Sequence, residues 1–437
     1  MELKKLMQGA GVVGAGGAGF PSYAKLAEGA DTLLVNGSEC EPLLYTDITI
    51  LSEEMNTVLD GIGVLLKETN ISKALLCIKN HTAKALSLND GMSLAEKIQV
   101  KVLPDVYPIG DEVSLIFEST GRVVRPGNLP ISVGIIVYNV ETVYNIAKAA
   151  LYGDSVTEKW LTVGGFSDVH AVVKAPIGAR VSELFEKLGV TVPEDCEVLD
   201  GGPSMGKIIN HRTAVVTKTT KSLLVLPRTS RAIEAKRINQ ASAVSRAETA
   251  CCQCTRCTDM CPRHLLGYPL EPHKMVRTAM AVGRANPIMV LSATLCCGCG
   301  ICESLACNQG ISPKAVINSY KTLLAENKLR YTASEDVFAR RERDYRKIPS
   351  ARWARTLGVG KFDTPPTKSD KISDFSHVEI PLKSNIGAPA AAVVSVGDTV
   401  TKGDVIASVE NVLGVSVHAS ISGTVTALTS TKIIITR

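Results

Sequence analysis

The sequence predicts a multidomain α/β and α+β protein, four folded units joined by one linker. Three observations lead there. The 437 residues suffice for roughly three domains of ordinary size and for a large buried core without disulfide staples. The hydrophobic pattern changes character repeatedly along the chain. Ten of the 13 cysteines fall between Cys251 and Cys307, which sets that segment apart.

Residues 1–152 alternate apolar runs suited to strands (32–35, 74–78 and 133–138) with stretches suited to helices (53–67, 93–97 and 111–118), the rhythm of an α/β domain. Over 153–228 short strands and glycine turns take over, in WLTVGGF, HAVVKAPIGARVSELFEKLG, VLDGGPSMGK and SLLVLP. A small α+β domain is expected. Residues 229–330 read as helices surrounding the cysteines. The stretch 331–374 carries the charge run ARRERDYRK, read as a solvated helix face, and the proline-rich DTPPTKSD, so a linker is expected. From 375 to 437 β-branched residues and glycine turns predict a compact all-β domain.

Composition excludes some functions. With 48 basic and 43 acidic residues the net charge is only +5, far from the dense basic surface that binds a phosphate backbone. Aromatics make up 4%, leaving few platforms for stacked bases. Nucleic acid is not an expected partner. The N-terminal MELKKLMQGAGVVGAGG lacks an apolar stretch of secretory length, and no uncharged apolar run reaches about 18 residues. The expected location is cytoplasmic, without a direct membrane span.

The cysteines carry the strongest chemical signal. Cys251, Cys254, Cys257 and Cys261, followed by Pro262, reproduce CxxCxxCxxxCP without a gap. Cys296, Cys299, Cys302 and Cys307 form a second run, with one extra residue before the last cysteine and Asn308 in place of proline. Such runs wrap iron–sulfur cubanes, three thiolates from one tight loop and the fourth from the other run. One [4Fe-4S] cluster is therefore expected on Cys251, Cys254, Cys257 and Cys307, and a second on Cys296, Cys299, Cys302 and Cys261. Paired zinc sites are the competing reading, but zinc needs neither four cysteines per run nor a terminal Cys-Pro. Cys252 and Cys297 lie out of register and read as spectator thiols, as do Cys40, Cys77 and Cys196. The seven histidines form no paired-ligand spacing, so each reads as structural or solvated, with His264 and His418 the only candidates for anything more.

Near the start, GVVGAGGAGFPSYAKL sets Gly14, Gly16, Gly17 and Gly19 ahead of Phe20. Glycines let a backbone approach a phosphate closely, but the strand that a Rossmann fingerprint requires is missing. Three further segments follow: VNGSECEPLLYTD, YPIGDEVSL and YNVETVYNI. Together the four blocks resemble the flavin- and NADH-binding subunit of respiratory complex I, and 1–330 resembles the RnfC component of the Rnf electron-transfer complex. WLTVGGF through GGPSMG is similar to the soluble-ligand-binding β-grasp (SLBB) domain of both.

The resemblance implies that Gly14, Gly16, Gly17 and Lys25 cradle the FMN phosphate. It implies that Asn36, Ser38, Tyr107, Gly110, Asp111, Asn139 and Thr142 line the isoalloxazine and ribityl chain. Phe20 would stack on the nicotinamide, and Glu41 and Glu112 would contact NADH. The chain departs from the pattern at Glu28, where the family has a second aromatic, and at Ser38, where complex I has an acidic residue. The family's later lysine has no counterpart beyond Arg122 or Arg125.

The C-terminal VVSVGDTVTKGDVIASVENVLGVSVHASISGTV resembles the barrel-sandwich hybrid of biotinyl and lipoyl carriers. No lysine lies between Ser408 and Thr431, so a swinging arm is not expected. This domain's C-terminal position and the CCxCGxCESxAC form of the second run resemble the cobalamin reductases of the propanediol-utilisation system. That family implies an NADH-dependent enzyme passing electrons through FMN and two [4Fe-4S] clusters to a corrinoid. It implies adenosyltransferase and shell proteins as partners and a bacterial microcompartment as the location. Two other readings stand beside it: an NADH:ferredoxin-type electron-input module, and a cluster-binding electron-transfer or scaffold protein without NADH chemistry.

Overall fold

In the computed structural model, residues 2–69, 71–280, 287–333 and 335–437 are described. The apolar run Thr32–Gly37 is buried along nearly its whole length, as a central parallel strand must be. It pairs in parallel with Lys73–Lys79 on one side and Ile135–Asn139 on the other. Ile98–Leu103 extends the sheet in parallel beyond Lys73–Lys79. Helices Met55–Thr69 and Val140–Tyr152 pack together at Gly61, where a Cβ would lie 2.5 Å from the Val143 carbonyl oxygen.

The sequence predicts a helix over 93–97, and the structure corrects this to a strand. Ser93–Ala95 runs antiparallel to Ile98–Leu103 at the sheet edge. Gly91 and Lys97 both have positive φ, 76° and 65°, and the Asp90 carboxylate accepts from Val102 N at 2.8 Å. These turns fold the chain back before one helical turn could be nucleated.

The second unit wraps five strands around helix Val181–Leu188, whose buried Val181, Leu184, Phe185 and Leu188 form one face. Glu158–Gly165 and Ala171–Pro176 make an antiparallel hairpin, and Ser222–Pro227 returns parallel to the first of them, a β-grasp arrangement. A sixth strand, Lys368–Lys371, joins Ala171–Pro176 in parallel. It comes from the stretch for which the sequence predicts a linker. That stretch runs as a strap: Ile348–Pro349 pairs with Val106–Tyr107, helix Ser350–Thr356 buries Trp353, and Arg343 of the charge run pairs with Glu118.

Short helices, among them Gln240–Ala250, Pro262–Leu265 and Pro313–Glu326, hold the cysteine loops. The C-terminal unit is two small antiparallel sheets and docks back onto the N-terminus. Ser416 N donates to Gln8 O at 3.1 Å, and Ile386 N donates to Gly19 O at 3.1 Å. Between these units the buried Lys218 ammonium donates to Gly11 O and Ser416 O, at 2.8 and 2.9 Å. Among the described residues no helix is long and apolar enough to cross a membrane.

Candidate functional site

Strands Thr32–Gly37 and Ile135–Asn139 end side by side, with Asn36 in register with Asn139. Strand order reverses there, since Lys73–Lys79 lies on the opposite flank of Thr32–Gly37, and open α/β sheets take ligands at the carboxyl ends of such strands. A cavity of about 450 Å³ opens at this point, within the range of small-molecule sites. Gly14, Gly16, Gly17, Phe20, Lys25, Asn36, Ser38, Glu41, Tyr107, Gly110, Asp111, Glu112, Asn139 and Thr142 all line it.

Several of these side chains already have partners within the protein. The glycine loop closes through Gly14 N to Phe20 O at 2.8 Å, and Ala15 N donates to Thr142 Oγ1 at 3.0 Å. Asn139 caps its helix, with Oδ1 accepting from Glu141 N at 3.0 Å, while its Nδ2 donates to Asn36 O and Asp47 Oδ2. Ser38 Oγ turns into the sheet, donating to Cys77 O at 2.9 Å. Glu41 accepts from Ser204 N and Met205 N at 2.9 and 2.8 Å, so the GGPSMG loop of the β-grasp unit grips it. Lys25 Nζ and Glu112 Oε1 are 2.7 Å apart, and both side chains remain about one third exposed.

The donor set fits a flavin. Glycine leaves space where other residues would not: a Cβ at Gly110 would lie 2.6 Å from Ser38 O, and one at Gly16 3.2 Å from Asn139 Cβ. Ser22 Oγ is buried and, among the described residues, lacks a hydrogen-bond partner, while Glu39 Oε1 faces the Lys221 ammonium at 3.5 Å, and both residues line the cavity. Buried polar atoms without partners are rare, so a flat ring with polar edges suits this wall.

Beneath the cavity lies a buried ionic network. Lys221 is 2.5 Å from Asp47 and 3.5 Å from Glu39, and Lys159 pairs with Glu141. Burial opposes the Lys221 ammonium, yet the carboxylates of Asp47, Glu39 and Glu141 together hold its pKa above the ordinary lysine value. Burial, followed by the charge of Asp47, pushes Glu39 up to about 7.

The cysteines fall into two groups. Cys251, Cys254, Cys257 and Cys307 line a cavity of about 110 Å³, together with Cys252. Burial and the charge of Glu303 raise the Cys302 thiol, which also meets the charges of Cys296, Cys261 and Cys257, and a hydrogen bond with Cys297, then burial, raise that of Cys299, beside Cys302 and Cys261. Burial, and then the charges of Cys307, Cys254 and Cys251, pushes Cys257 up to about 12. Gathering four thiolates without a cation is costly, and a bound metal inverts that cost and deprotonates its thiols. Among the described residues no three His, Cys, Asp or Glu side chains form a single-ion site. Thiols ringing a space suit a cluster.

The two sites share a wall. Cys297 and Cys299 line the flavin cavity, Tyr107 Oη donates to Cys299 O at 2.8 Å, and Asp111 meets Arg263 at 2.7 Å. Sequence reasoning missed Ser22, Asp47, Met205, Lys221, Arg263 and Trp353, and it read Cys297 as a spectator. Lys221 and Met205 reach the cavity from another domain, Arg263 meets its wall residue Asp111, and none of the three leaves a local signal. Trp353 did leave one, a large apolar side chain inside a charged stretch, where exposure would be costly.

Known proteins place this geometry in a family. Residues 7–148 match the Nuo51 FMN-binding domain, 250–312 a 4Fe-4S dicluster domain, and 360–436 the RnfC barrel-sandwich hybrid domain. The chain is 37% identical to the cobalamin reductase PduS of Salmonella typhimurium over 440 residues, covering 100% of this chain and 96% of that one. Identity to the Citrobacter freundii PduS is also 37%, over 441 residues with the same coverage. A component of the proton-translocating ferredoxin:NAD(+) oxidoreductase complex of Clostridium ljungdahlii is 31% identical over 274 residues, 60% of this chain and 56% of that one. The protein is a flavo-iron-sulfur oxidoreductase, and the chain belongs to the PduS cobalamin reductase family.

Proposed function

We propose that the protein oxidises NADH at the cavity beside Asn36 and Asn139 and passes the electrons to a corrinoid, using FMN and two [4Fe-4S] clusters. The shared wall carries this reading: Cys299 lines the same cavity as Phe20 and Lys25, and its backbone is held by Tyr107. When bound, FMN supplies the exchange between a two-electron hydride donor and one-electron clusters. NADH leaves as NAD⁺, one proton is released, and two electrons take cob(III)alamin toward cob(I)alamin.

The residues divide this work. Gly14, Gly16 and Gly17 leave room for a phosphate at the backbone, and Lys25 neutralises it, exchanging its pairing with Glu112 for the ligand. Asn36, Ser38, Tyr107, Gly110, Asp111, Asn139 and Thr142 shape the flavin's bed, several of them locked by the bonds described above. Phe20 offers a face to the nicotinamide, while Glu41 and Glu112 orient the dinucleotide. Cys251, Cys254, Cys257 and Cys307 hold one cluster, and Cys261, Cys296, Cys299 and Cys302 the other.

On this reading the protein works in the cytoplasm inside a bacterial microcompartment, beside shell proteins and the adenosyltransferase that consumes reduced corrinoid. Anaerobic protein given NADH should reduce hydroxocobalamin, followed by its absorbance. The double variant Cys254→Ala/Cys299→Ala should keep NADH-dependent dye reduction and lose corrinoid reduction. Rapid reduction of dyes and ferredoxin with corrinoid untouched would replace this reading with the electron-input one.

A further inference from the structure

A second large cavity, of about 420 Å³, shares Met205 with the flavin site. Gly300, Glu303 and Ser304 of the second cysteine run form part of its wall, and Trp353, Leu357 and Ile238 give it an apolar side. Three lysines line it: Lys207, Lys236 and Lys314. Lys236 Nζ and Lys314 Nζ donate to one and the same carbonyl oxygen, that of Ser204, at 3.0 and 3.2 Å. Two ammonium groups drawn to one oxygen repel each other, a geometry that an anion between them would relieve. Glu303 is the one carboxylate lining the cavity among the described residues. It is already engaged, 3.3 Å from Lys314 and accepting from Ser312 Oγ. The cavity therefore offers uncompensated positive charge beside an apolar wall, next to a cysteine run.

We propose that this cavity docks the electron acceptor, holding a phosphodiester at Lys236 and Lys314, with Lys207 as the third lysine of its lining, and the attached heterocyclic base against Leu357 and Ile238. The inference rests on the corrinoid reading above, because the nucleotide tail of a complete corrinoid is a phosphodiester bearing a benzimidazole. A volume of about 420 Å³ suits that tail, being near the lower end of the range for small-molecule sites. The pyrophosphate of a dinucleotide shares the same anionic chemistry, and the experiment separates the two sources.

Full-length holoprotein and the variants Lys236→Gln and Lys207→Gln are compared with cobalamin, with cobinamide, which lacks the tail, and with NADH. Lys207 is exposed, so its variant tests the charge without disturbing the interior. Each variant should raise the KM for cobalamin about tenfold, the size of one charge-assisted hydrogen bond. Cobinamide should already show the raised KM in the wild type and should not respond to the variants. An unchanged KM for cobalamin overturns the proposal, and so does a raised KM for NADH in its place. Calorimetric binding of cyanocobalamin separates docking from reaction. If no corrinoid is reduced but binding still depends on Lys207 and Lys236, the site stands and the functional reading falls. If both corrinoids are reduced with equal KM in all three proteins, the functional reading stands and the site falls.

Discussion

The Tyr107 phenol donates to the Cys299 carbonyl oxygen at 2.8 Å, and its ring stacks on Trp353 with centroids 4.7 Å apart. One side chain thus fixes the flavin cavity, the second cysteine run and the strap 331–374 to one another. Tyr107→Phe keeps the stacking and removes the donor, leaving a buried carbonyl without its partner. The expected loss is about 1–3 kcal/mol, read as a lower denaturation midpoint. Cluster reduction by NADH should also slow relative to dye reduction, and an unchanged midpoint would show that Cys299 does not depend on this bond.

The cysteine groups predict the metal content. Anaerobically purified protein should hold about eight iron and about eight acid-labile sulfide per chain, as two cubanes require. Cys254→Ala and Cys299→Ala should each remove one cluster. Cys254 is exposed, so its variant should lose iron with little effect on the rest of the fold. Cys299 packs in a core with Tyr107, Trp353 and Leu357, so its variant should also unfold earlier. Zinc in place of iron would overturn the assignment.

Flavin retention tests the glycine loop. Gly16→Val places branched carbon toward Asn139, where even a Cβ would lie at 3.2 Å, and should abolish binding. Lys25→Ala should weaken it by removing a phosphate partner. The flavin released on denaturation should be FMN. Release of FAD, or of none from the fully loaded wild type, would contradict the site.

Asp111 serves two functions that two substitutions can separate. Its carboxylate pairs with the largely buried Arg263, and it caps helix Glu112–Thr120 by accepting from Ser114 N at 3.3 Å. Asp111→Ala removes the carboxylate that faces a buried guanidinium, at a cost of about 3–5 kcal/mol, and loses the cap, about 1 kcal/mol more. Asp111→Asn keeps a capping oxygen and should lose less. Equal losses in denaturant titrations would show that the cap contributes nothing.

Glu39 makes stability depend on pH. Burial holds its pKa at about 7, above the ordinary carboxyl value of 4.5. Below 4.5 the folded and unfolded chains are both protonated at this group, so it contributes no difference. As pH rises toward 7 the unfolded chain ionises first, and the folded state loses stability until Glu39 also ionises. Melting temperatures measured from pH 5 to pH 8 should therefore fall less steeply in Glu39→Gln than in the wild type. A steeper fall in the variant would reverse the sign.

Much was legible in the sequence because its signals are local. Cysteine spacing, the glycine loop before Phe20 and the strand-like run at 32–35 each depend on neighbours within a few residues, so no tertiary information was needed to find them. Four short blocks, scattered over the first 146 residues, likewise marked the positions that line one cavity. The 93–97 segment failed because it is too short to show a period, and its turns at Gly91 and Lys97 decided its form. What only the tertiary structure decided was everything contributed across domains. Lys221 and Met205 reach the flavin cavity from the β-grasp unit, Arg263 meets Asp111 from the cysteine unit, and Trp353 arrives on a stretch that reads as linker. Burial and charge pairing between segments hundreds of residues apart leave no periodicity in either one. They exist only once the chain has closed, and they set the Glu39 pKa and the shared wall through which the flavin site meets Cys299.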